Sequence, residues 1–221
     1  MTGSDSSPLG VLGGTFDPVH NAHLALARAA LDRLGIAQVL WIPAGLPPHR
    51  AAPQVAAADR LAMVQSAIAS EPRFQLDASE VASHAPSYTV HTLQRLRRQF
   101  GPARPLVLLM GADAFLGLPR WHRWQELFGL AHLAVATRPG FPLESLSLPL
   151  AAEMAERHSL DPDAIAATPC GRILTFELIA GTVSATEVRD LLAAHAPAAA
   201  VAKLVPPDVL DYIHQHSLYC N

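Results

Sequence analysis

Short apolar runs of strand length alternate along the chain with segments that show helical periodicity. From His23 to Leu34, apolar residues such as Leu24 and Leu31 share one helical face, while Arg28 lies opposite. A helix between two strands supplies the long crossover connection that a parallel pair of strands needs. The pattern therefore predicts an α/β fold, a Rossmann-like, doubly wound and mostly parallel sheet with helices on both faces.

The predicted elements follow one another at regular intervals. Several prolines weaken the pattern between Pro139 and Cys170, so we expect an excursion at 139–170. We predict a flexible N-terminal tail at 1–8 and a single domain over 9–221. Strands are predicted near 9–12, 39–42, 74–76, 106–110, 132–137 and 173–178, and helices over 23–34, 59–69, 89–100 and 151–157, up to Leu192 and from Pro206 onward.

The composition of the chain argues against nucleic-acid and membrane partners. The net charge of −3 over 221 residues argues against a nucleic-acid partner, because polyanion binding needs clustered Lys and Arg. The apolar runs are far shorter than the ~20 residues of a spanning helix, and the polar N-terminus lacks the features of a secretory signal. We therefore expect a cytoplasmic protein without membrane association, with Cys170 and Cys220 as ordinary thiols and homo-oligomerisation left open.

A dense motif follows the first predicted strand directly. Small residues at a strand-to-helix turn let backbone N–H groups face an anion. His20 and His23 lie where the helix begins, so their Nε2–H groups can donate to a phosphoryl group that gains charge. We expect backbone N–H groups of Thr15 and Phe16 to bind phosphate and Asp17 to hold the turn. The motif reads Gly13-Gly14-Thr15-Phe16-Asp17-Pro18-Val19-His20-Asn21-Ala22-His23-Leu24, and it fits neither G-x-G-x-x-G nor the P-loop.

A second polar motif begins a later helix. It reads Val183-Ser184-Ala185-Thr186-Glu187-Val188-Arg189. Ser184 or Thr186 is suited to cap the helix N-terminus. Hydroxyl groups at a helix N-terminus, with Arg189 one turn later, also suit a phosphate. The two interpretations are compatible.

Together, these motifs resemble the signature of the nucleotidyltransferase superfamily, written H-x-G-H and I-S-S-T-x-I-R. Ala22 replaces the glycine before the second histidine, and Ala185 replaces the second serine. The resemblance implies that His20, His23 and Arg189 are catalytic, with Ser184, Thr186 and Arg189 on the β- and γ-phosphates of ATP. Arg138 matches a family turn near ATP. The implied ATP site comprises Gly13, Gly14, Thr15, Phe16, His20, His23, Arg138, Ser184, Thr186 and Arg189.

Four further segments are similar to those of the nicotinate mononucleotide adenylyltransferases within this superfamily. They are Pro47-Pro48-His49-Arg50, Pro86-Ser87-Tyr88-Thr89, Gly111-Ala112-Asp113 and Trp121-His122-Arg123-Trp124. By resemblance, Trp121 stacks on the pyridine ring, backbone N–H groups of Thr89 and His122 receive the nicotinate carboxylate, and Asp113 contacts the ribose or phosphate region. Trp124 is expected in the core. The implied mononucleotide site comprises Thr15, Phe16, His49, Arg50, Thr89, Asp113, Trp121 and His122.

The resemblance implies a reaction of NAD biosynthesis, in which AMP passes from ATP to nicotinate mononucleotide and gives deamido-NAD and pyrophosphate. Mg²⁺ is expected to be carried mainly by ATP oxygens, without a protein metal site. Two alternatives stay open. A sister enzyme such as pantetheine-phosphate adenylyltransferase would share His20 and His23 without needing Trp121. A non-catalytic nucleotide-binding sensor would fit the departures at Ala22 and Ala185.

Overall fold

The structure is a computed structural model, and it describes residues 7–48, 52–137, 146–178 and 183–220. Seven strands form one parallel sheet in the order β3-β2-β1-β4-β5-β7-β6. The strand order reverses between β1 and β4, which is typical of a doubly wound sheet. The predicted Rossmann-like α/β class is confirmed. The strands are β1 (Leu9–Gly14), β2 (Gln38–Pro43), β3 (Phe74–Leu76), β4 (Leu106–Gly111), β5 (His132–Thr137), β6 (His158–Ser159) and β7 (Ile173–Glu177).

Helices surround the sheet and follow the predicted spans closely. The short elements α4, α6 and α8 and two 3₁₀ helices were not expected from the periodicity, because one turn of helix carries too few residues to show a pattern. The helices are α1 (Asn21–Arg33), α2 (Ala57–Ile68), α3 (Thr89–Phe100), α4 (Ala112–Leu116), α5 (Leu148–Arg157), α6 (Ala164–Ala167), α7 (Ala185–Ala193), α8 (Ala198–Val201) and α9 (Pro207–Gln215), and the 3₁₀ helices are Leu118–Arg120 and Trp124–Gly129.

The chain divides into two compact units, and the single-domain organisation stays a prediction. The first, here called the strand unit, comprises residues 7–12, 26–40, 88–137 and 146–178 of the described chain. Its strands β4, β5 and β7 are largely buried apolar runs, as parallel strands covered on both faces require. The register aligns Leu108 with Leu133, and Leu133 with Ile173. Within the predicted excursion, β6 pairs with β7 at the sheet edge.

A buried histidine fixes the start of β5 in the strand unit. His132 is 0% exposed, and its Nδ1 accepts a hydrogen bond from the Arg172 N–H at 3.1 Å. The proton therefore sits on Nε2, which donates to the carbonyl oxygen of Thr168 at 2.7 Å. Burial lowers the pKa of His132, so the ring is held neutral.

The second unit, here called the turn unit, comprises residues 13–25, 41–48, 52–87 and 183–220 of the described chain. Helix α2 packs against α9, and the Tyr212 hydroxyl donates to Asp59 Oδ1 at 3.0 Å. Trp41 and Met63 are among its fully buried side chains. In both units, the described part of the chain holds no helix whose length and hydropathy would allow it to cross a bilayer.

Candidate active site

The segment from Gly13 to His23, here called the histidine turn, leads from the carboxyl end of β1 into α1. Phe16 has a φ of 51°, in the left-handed region. A non-glycine residue there costs about 1–3 kcal/mol, so surrounding contacts must hold it. The buried Phe16 ring meets the His23 ring edge-on at 5.0 Å and lies 5.6 Å from the Trp41 ring. Phe16 was expected to act through its backbone, and its side chain also supports the second histidine.

The two glycines of the histidine turn serve different needs. A Cβ on Gly14 would lie 2.9 Å from the Phe16 ring, a distance that real Cβ contacts do not show. The ring is already packed against His23 and Trp41, so it has little room to move aside. A Cβ on Gly13 would meet its nearest neighbour, the carbonyl oxygen of Ile42, at 4.0 Å. The fold therefore requires glycine at Gly14 and tolerates a side chain at Gly13.

The histidine pair forms a stacked unit at the start of α1. The ring centroids of His20 and His23 lie 3.7 Å apart. His23 Nδ1 accepts a hydrogen bond from the His20 N–H at 3.2 Å, so the neutral His23 ring carries its proton on Nε2. His20 is 6% exposed, and His23 is half-buried. This tautomer makes His23 Nε2–H a donor, which is the chemical form that the phosphate role requires.

A buried arginine binds the backbone of the histidine turn. The sequence alone did not predict this role. Arg60, in α2, is 1% exposed. Its Nη1 donates to the carbonyl oxygens of Thr15 at 2.6 Å and Ala44 at 2.7 Å, and its Nη2 donates to that of Gly45 at 3.1 Å. Burial lowers the pKa of Arg60, and the Asp17 carboxylate opposes that shift. One guanidinium thus sets the spacing between the histidine turn and the loop after β2.

Asp17 holds the histidine turn, as expected, and the structure shows how. Its Oδ1 accepts from the Tyr219 hydroxyl at 2.8 Å, and its Oδ2 accepts from the Gln54 N–H at 2.9 Å. Its backbone carbonyl oxygen accepts from Arg189 Nη1 at 2.6 Å. Both carboxylate oxygens therefore bind protein donors. Neither Tyr219 nor Gln54 has a local sequence signal, because their partner lies far away along the chain.

The second motif caps α7 as its sequence indicates. Ser184 is the N-cap, and its Oγ accepts from the Glu187 N–H at 3.1 Å. Arg189 Nη2 donates to Thr186 Oγ1 at 3.2 Å. Since Arg189 also reaches the Asp17 carbonyl, the structure brings the second motif to the histidine turn. Ser184 and Thr186 are exposed, which leaves their hydroxyl groups accessible.

Contacts with Ser87 and Glu80 fix Gly45 and Leu46 in the loop after β2. Ser87 Oγ accepts from the N–H groups of Gly45 at 3.0 Å and Leu46 at 3.3 Å, and the Ser87 N–H donates to the Leu46 carbonyl oxygen at 2.9 Å. A Cβ on Gly45 would lie 2.1 Å from the carbonyl oxygen of Glu80, so only glycine fits there. His49 and Arg50, expected in the mononucleotide site, lie outside the described residues, as does Arg138.

The residues expected to recognise the pyridine ring belong to the strand unit. Thr89 is the first residue of α3, where backbone N–H groups lack an intrahelical acceptor. The His122 ring lies 4.4 Å from the Tyr88 ring and 5.8 Å from the His91 ring. These ring contacts bring His122 close to the start of α3, the helix that Thr89 begins. Sequence reasoning did not assign a role to Tyr88 or His91.

Three other expected positions are at least partly exposed. Asp113 is exposed in the first turn of α4, beyond β4, and Trp121 is half-buried. Trp124, expected in the core, is only half-buried and meets the Phe128 ring edge-on at 6.1 Å. At the departures from the superfamily pattern, Ala22 is buried, and Ala185 is the first residue of α7.

The chain is similar to a family model and to curated proteins over most of its length. The cytidylyltransferase-like family model matches residues 11–191. The chain is 56% identical over 218 residues to the probable nicotinate-nucleotide adenylyltransferase of Dechloromonas aromatica, and the match covers 98% of this chain and 99% of that protein. It is 48% identical over 211 residues to the protein of the same name from Laribacter hongkongensis, covering 96% and 94%. The chain belongs to the nicotinate-nucleotide adenylyltransferase family.

A solved structure agrees on the fold of this family member. The nicotinic acid mononucleotide adenylyltransferase of Plasmodium falciparum, complexed with NaAD, superposes with a TM-score of 0.72 over 96% of this chain and 97% of that one. Its sequence is 15% identical, so the likeness concerns the fold alone. The nicotinate-nucleotide adenylyltransferase family is a branch of the nucleotidyltransferases, which confirms the resemblance read from the two motifs.

Proposed function

We propose that this chain transfers the adenylyl group of ATP to nicotinate mononucleotide and releases pyrophosphate, which yields deamido-NAD. The protein is a nucleotidyltransferase of NAD biosynthesis. The observation that carries this conclusion is the 56% identity to a nicotinate-nucleotide adenylyltransferase along 98% of the chain. The stacked His20 and His23 at the start of α1 support it, because they supply donors suited to a reacting phosphate.

The proposed chemical step is a direct displacement at the α-phosphorus. A phosphate oxygen of nicotinate mononucleotide attacks, a new P–O bond forms, and the bond to the oxygen that bridges the α- and β-phosphates breaks. That attacking oxygen is already anionic, so no protein base and no covalent intermediate are needed. Catalysis then rests on positioning and on charge stabilisation. His23 Nε2–H, with His20 beside it, stabilises the charge that develops on the α-phosphate.

The second motif is proposed to receive the leaving pyrophosphate. Ser184 and Thr186 offer hydroxyl groups at the N-terminus of α7, where the helix dipole favours an anion. Arg189 uses its two Nη atoms to hold the Asp17 carbonyl and the Thr186 hydroxyl. A guanidinium carries five N–H donors, so Arg189 can hold the histidine turn and still bind phosphate oxygens. Gly13, Gly14, Thr15, Phe16 and Arg138 are proposed to complete the ATP site.

The proposed nicotinate contacts come from the strand unit. Backbone N–H groups of Thr89 and His122 receive the carboxylate, Trp121 stacks on the pyridine ring, and Asp113 contacts the ribose or phosphate region. The position of Thr89 at the start of α3 supports this role, because such N–H groups point away from the helix. The remaining proposed contacts to the mononucleotide are those of Thr15, Phe16, His49 and Arg50.

Enzymes of this family use a divalent cation together with ATP. We propose Mg²⁺, which would neutralise phosphate charge and be carried mainly by the oxygens of ATP. Asp17 is the carboxylate within the histidine turn, and both of its oxygens already accept hydrogen bonds from Tyr219 and Gln54. This donor set therefore fits a cation that arrives with the nucleotide, rather than one bound in a carboxylate cage.

Pyrophosphate release with a set of candidate acceptors tests the proposal. The protein is incubated with ATP, Mg²⁺ and either nicotinate mononucleotide, nicotinamide mononucleotide or pantetheine phosphate. Two N–H donors suit a carboxylate, whereas a carboxamide turns its NH₂ toward one of them. An unpaired buried donor costs about 1–3 kcal/mol, so we expect kcat/KM for the acid to exceed that for the amide at least ~10-fold.

Each outcome of this assay has a distinct meaning. Equal activity on acid and amide would contradict the carboxylate contacts of Thr89 and His122. Activity only with pantetheine phosphate would favour the sister enzyme. Binding of ATP without turnover of any acceptor would favour the nucleotide sensor. Trp121→Ala provides an internal control, because loss of stacking should weaken both mononucleotides while the affinity for ATP is retained.

A further inference from the structure

The C-terminal segment meets the histidine turn at two separate places within the turn unit. Where α1 begins, the Asn21 N–H donates to the carbonyl oxygen of Leu204 at 2.8 Å, and Asn21 Nδ2 donates to that of Lys203 at 3.0 Å. The second contact joins the Tyr219 hydroxyl to Asp17 Oδ1 at 2.8 Å, across 202 positions of sequence. The C-terminal segment therefore contacts the turn at Asp17, before the histidine pair, and at Asn21, between the two histidines.

Tyr219 makes a well-defined contact. The residue is 6% exposed, and Asp17 is 7% exposed, so their hydrogen bond is shielded from water. Burial together with the Asp17 carboxylate raises the pKa of Tyr219 far above its ordinary value, which keeps the hydroxyl protonated and makes it the donor. The other Asp17 oxygen is occupied by the Gln54 N–H at 2.9 Å. Asp17 is thus fixed in direction by two donors from distant segments.

The fixed orientation of the Asp17 side chain matters for catalysis because Asp17 lies between Phe16 and His20 in the sequence. Phe16, which precedes Asp17, is held in the left-handed region and packs against His23. His20 lies three residues after Asp17 and stacks on His23. A rotation of Asp17 would therefore reach His23 through Phe16, whose backbone is strained, and His20 through the short backbone that joins it to Asp17.

We propose that Tyr219 is a positioning residue for the adenylyl transfer, which acts through Asp17 to hold His20 and His23 in their working geometry. This inference rests on the roles proposed for the two histidines. Tyr219 itself touches no substrate, because its hydroxyl is directed to Asp17. Removal of the hydroxyl should therefore act on turnover more than on the binding of ATP.

The chain contains a matched control for this hydrogen bond. Tyr212 also lies in the C-terminal segment and also donates to an aspartate, Asp59 Oδ1, at 3.0 Å. That bond joins α9 to α2 and includes no residue of the histidine turn. Tyr219→Phe and Tyr212→Phe therefore remove the same group from the same segment, and only the first loosens Asp17.

The test measures kcat, KM for ATP and Tm for both variants, each assayed at the same interval below its own Tm. Misplacement of catalytic groups by about 1 Å can cost 10²-fold in rate, so for the smaller shift expected here we predict a ~10-fold lower kcat in Tyr219→Phe with KM for ATP changed less than ~3-fold. Tyr212→Phe should keep kcat within ~2-fold of the unmodified chain, and its Tm should fall less than that of Tyr219→Phe because Tyr212 and Asp59 are only half-buried. Equal kcat for the two variants would overturn the proposal.

Substitutions of Asp17 give a second route that does not depend on the folding of Tyr219→Phe. Asp17→Asn retains an acceptor for the Tyr219 hydroxyl, whereas Asp17→Ala removes it, so the asparagine variant should keep the higher kcat. Tyr219→Phe combined with Asp17→Ala should be no slower than Asp17→Ala alone, because both changes break one interaction. Additive losses would overturn the proposal. The assays use whichever acceptor the unmodified chain turns over, so failure of the nicotinate assignment leaves the result interpretable, and inactivity toward every acceptor would overturn both.

Discussion

Arg60→Met tests whether one buried guanidinium holds the histidine turn in place. Methionine keeps much of the volume of the arginine stem and removes the charged head. The carbonyl oxygens of Thr15, Ala44 and Gly45 then lose their donors at 2.6, 2.7 and 3.1 Å. Because Arg60 is 1% exposed, we expect water to be a poor substitute for these donors.

The size of the effect follows from these contacts. A hydrogen bond to a charged group contributes about 1.5–3 kcal/mol, which gives a gross loss of roughly 5–9 kcal/mol for three carbonyl acceptors. Burial of the guanidinium, the main cause of its lowered pKa, costs stability in the native protein and offsets part of that loss. We therefore expect a net destabilisation of about 3–5 kcal/mol, equivalent to a Tm roughly 6–20 °C lower for a chain of this length.

Differential scanning calorimetry and urea unfolding measure this loss, and Arg73→Met is the control. Arg73 pairs with Glu71 at 2.9 Å, and its side chain is 47% exposed. A surface pair of this kind contributes about 0–1 kcal/mol. If Arg60→Met kept its Tm within about 2 °C of Arg73→Met, the three contacts would contribute no more than an exposed pair, and the reasoning would be refuted.

Three further predictions concern substitutions of single residues. His23→Ala should lower kcat about 10²-fold or more while the Kd for ATP changes little, since a donor to developing charge acts on the chemical step; near-normal turnover would remove His23 from catalysis. Gly14→Ala should destabilise the protein by about 1–3 kcal/mol because its Cβ meets the Phe16 ring at 2.9 Å, whereas Gly13→Ala should unfold at the wild-type urea concentration. The pKa of His132 is lower in the native protein than in the unfolded chain, where it is about 6.5. The free energy of unfolding is therefore unaffected by this group above that pH and falls by up to ~1.4 kcal/mol per pH unit below it. Urea unfolding at pH 7.5 and 5.0 should therefore show a larger loss for the unmodified chain than for His132→Gln, and parallel losses would contradict the role of His132.

The sequence predicts the sheet and the motifs because both depend on local patterns. A continuous apolar run such as Leu106 to Met110 can hardly be anything but a buried strand once helices flank it. The helix cap at Ser184 is equally local, since its partner is the N–H of Glu187, three residues away. The structural role of such residues depends on groups that lie only a few residues away in the sequence.

The supports of the histidine turn could not be predicted in the same way. Arg60 sits in a helix that reads as amphipathic, where a charged residue is ordinarily placed on the solvated face. Its partners are backbone carbonyl oxygens, which every residue has, so no pattern of side chains marks them. Tyr219 meets Asp17 across 202 positions, and only the folded chain brings the two together. Trp124 shows the opposite error, because a large aromatic residue was expected in the core and is only half-buried.

The strain at Phe16 explains why so many distant residues converge on one short turn. A phenylalanine in the left-handed region costs about 1–3 kcal/mol, and an isolated chain would relax it. Here Arg60 holds the carbonyl of the preceding Thr15, and Arg189 holds the carbonyl of the following Asp17. The conformation is therefore imposed from both sides by tertiary hydrogen bonds, two of them from cationic groups. The same conformation packs the Phe16 ring against His23. The hydrogen bonds that maintain the strained backbone therefore also orient His23, the proposed phosphate donor.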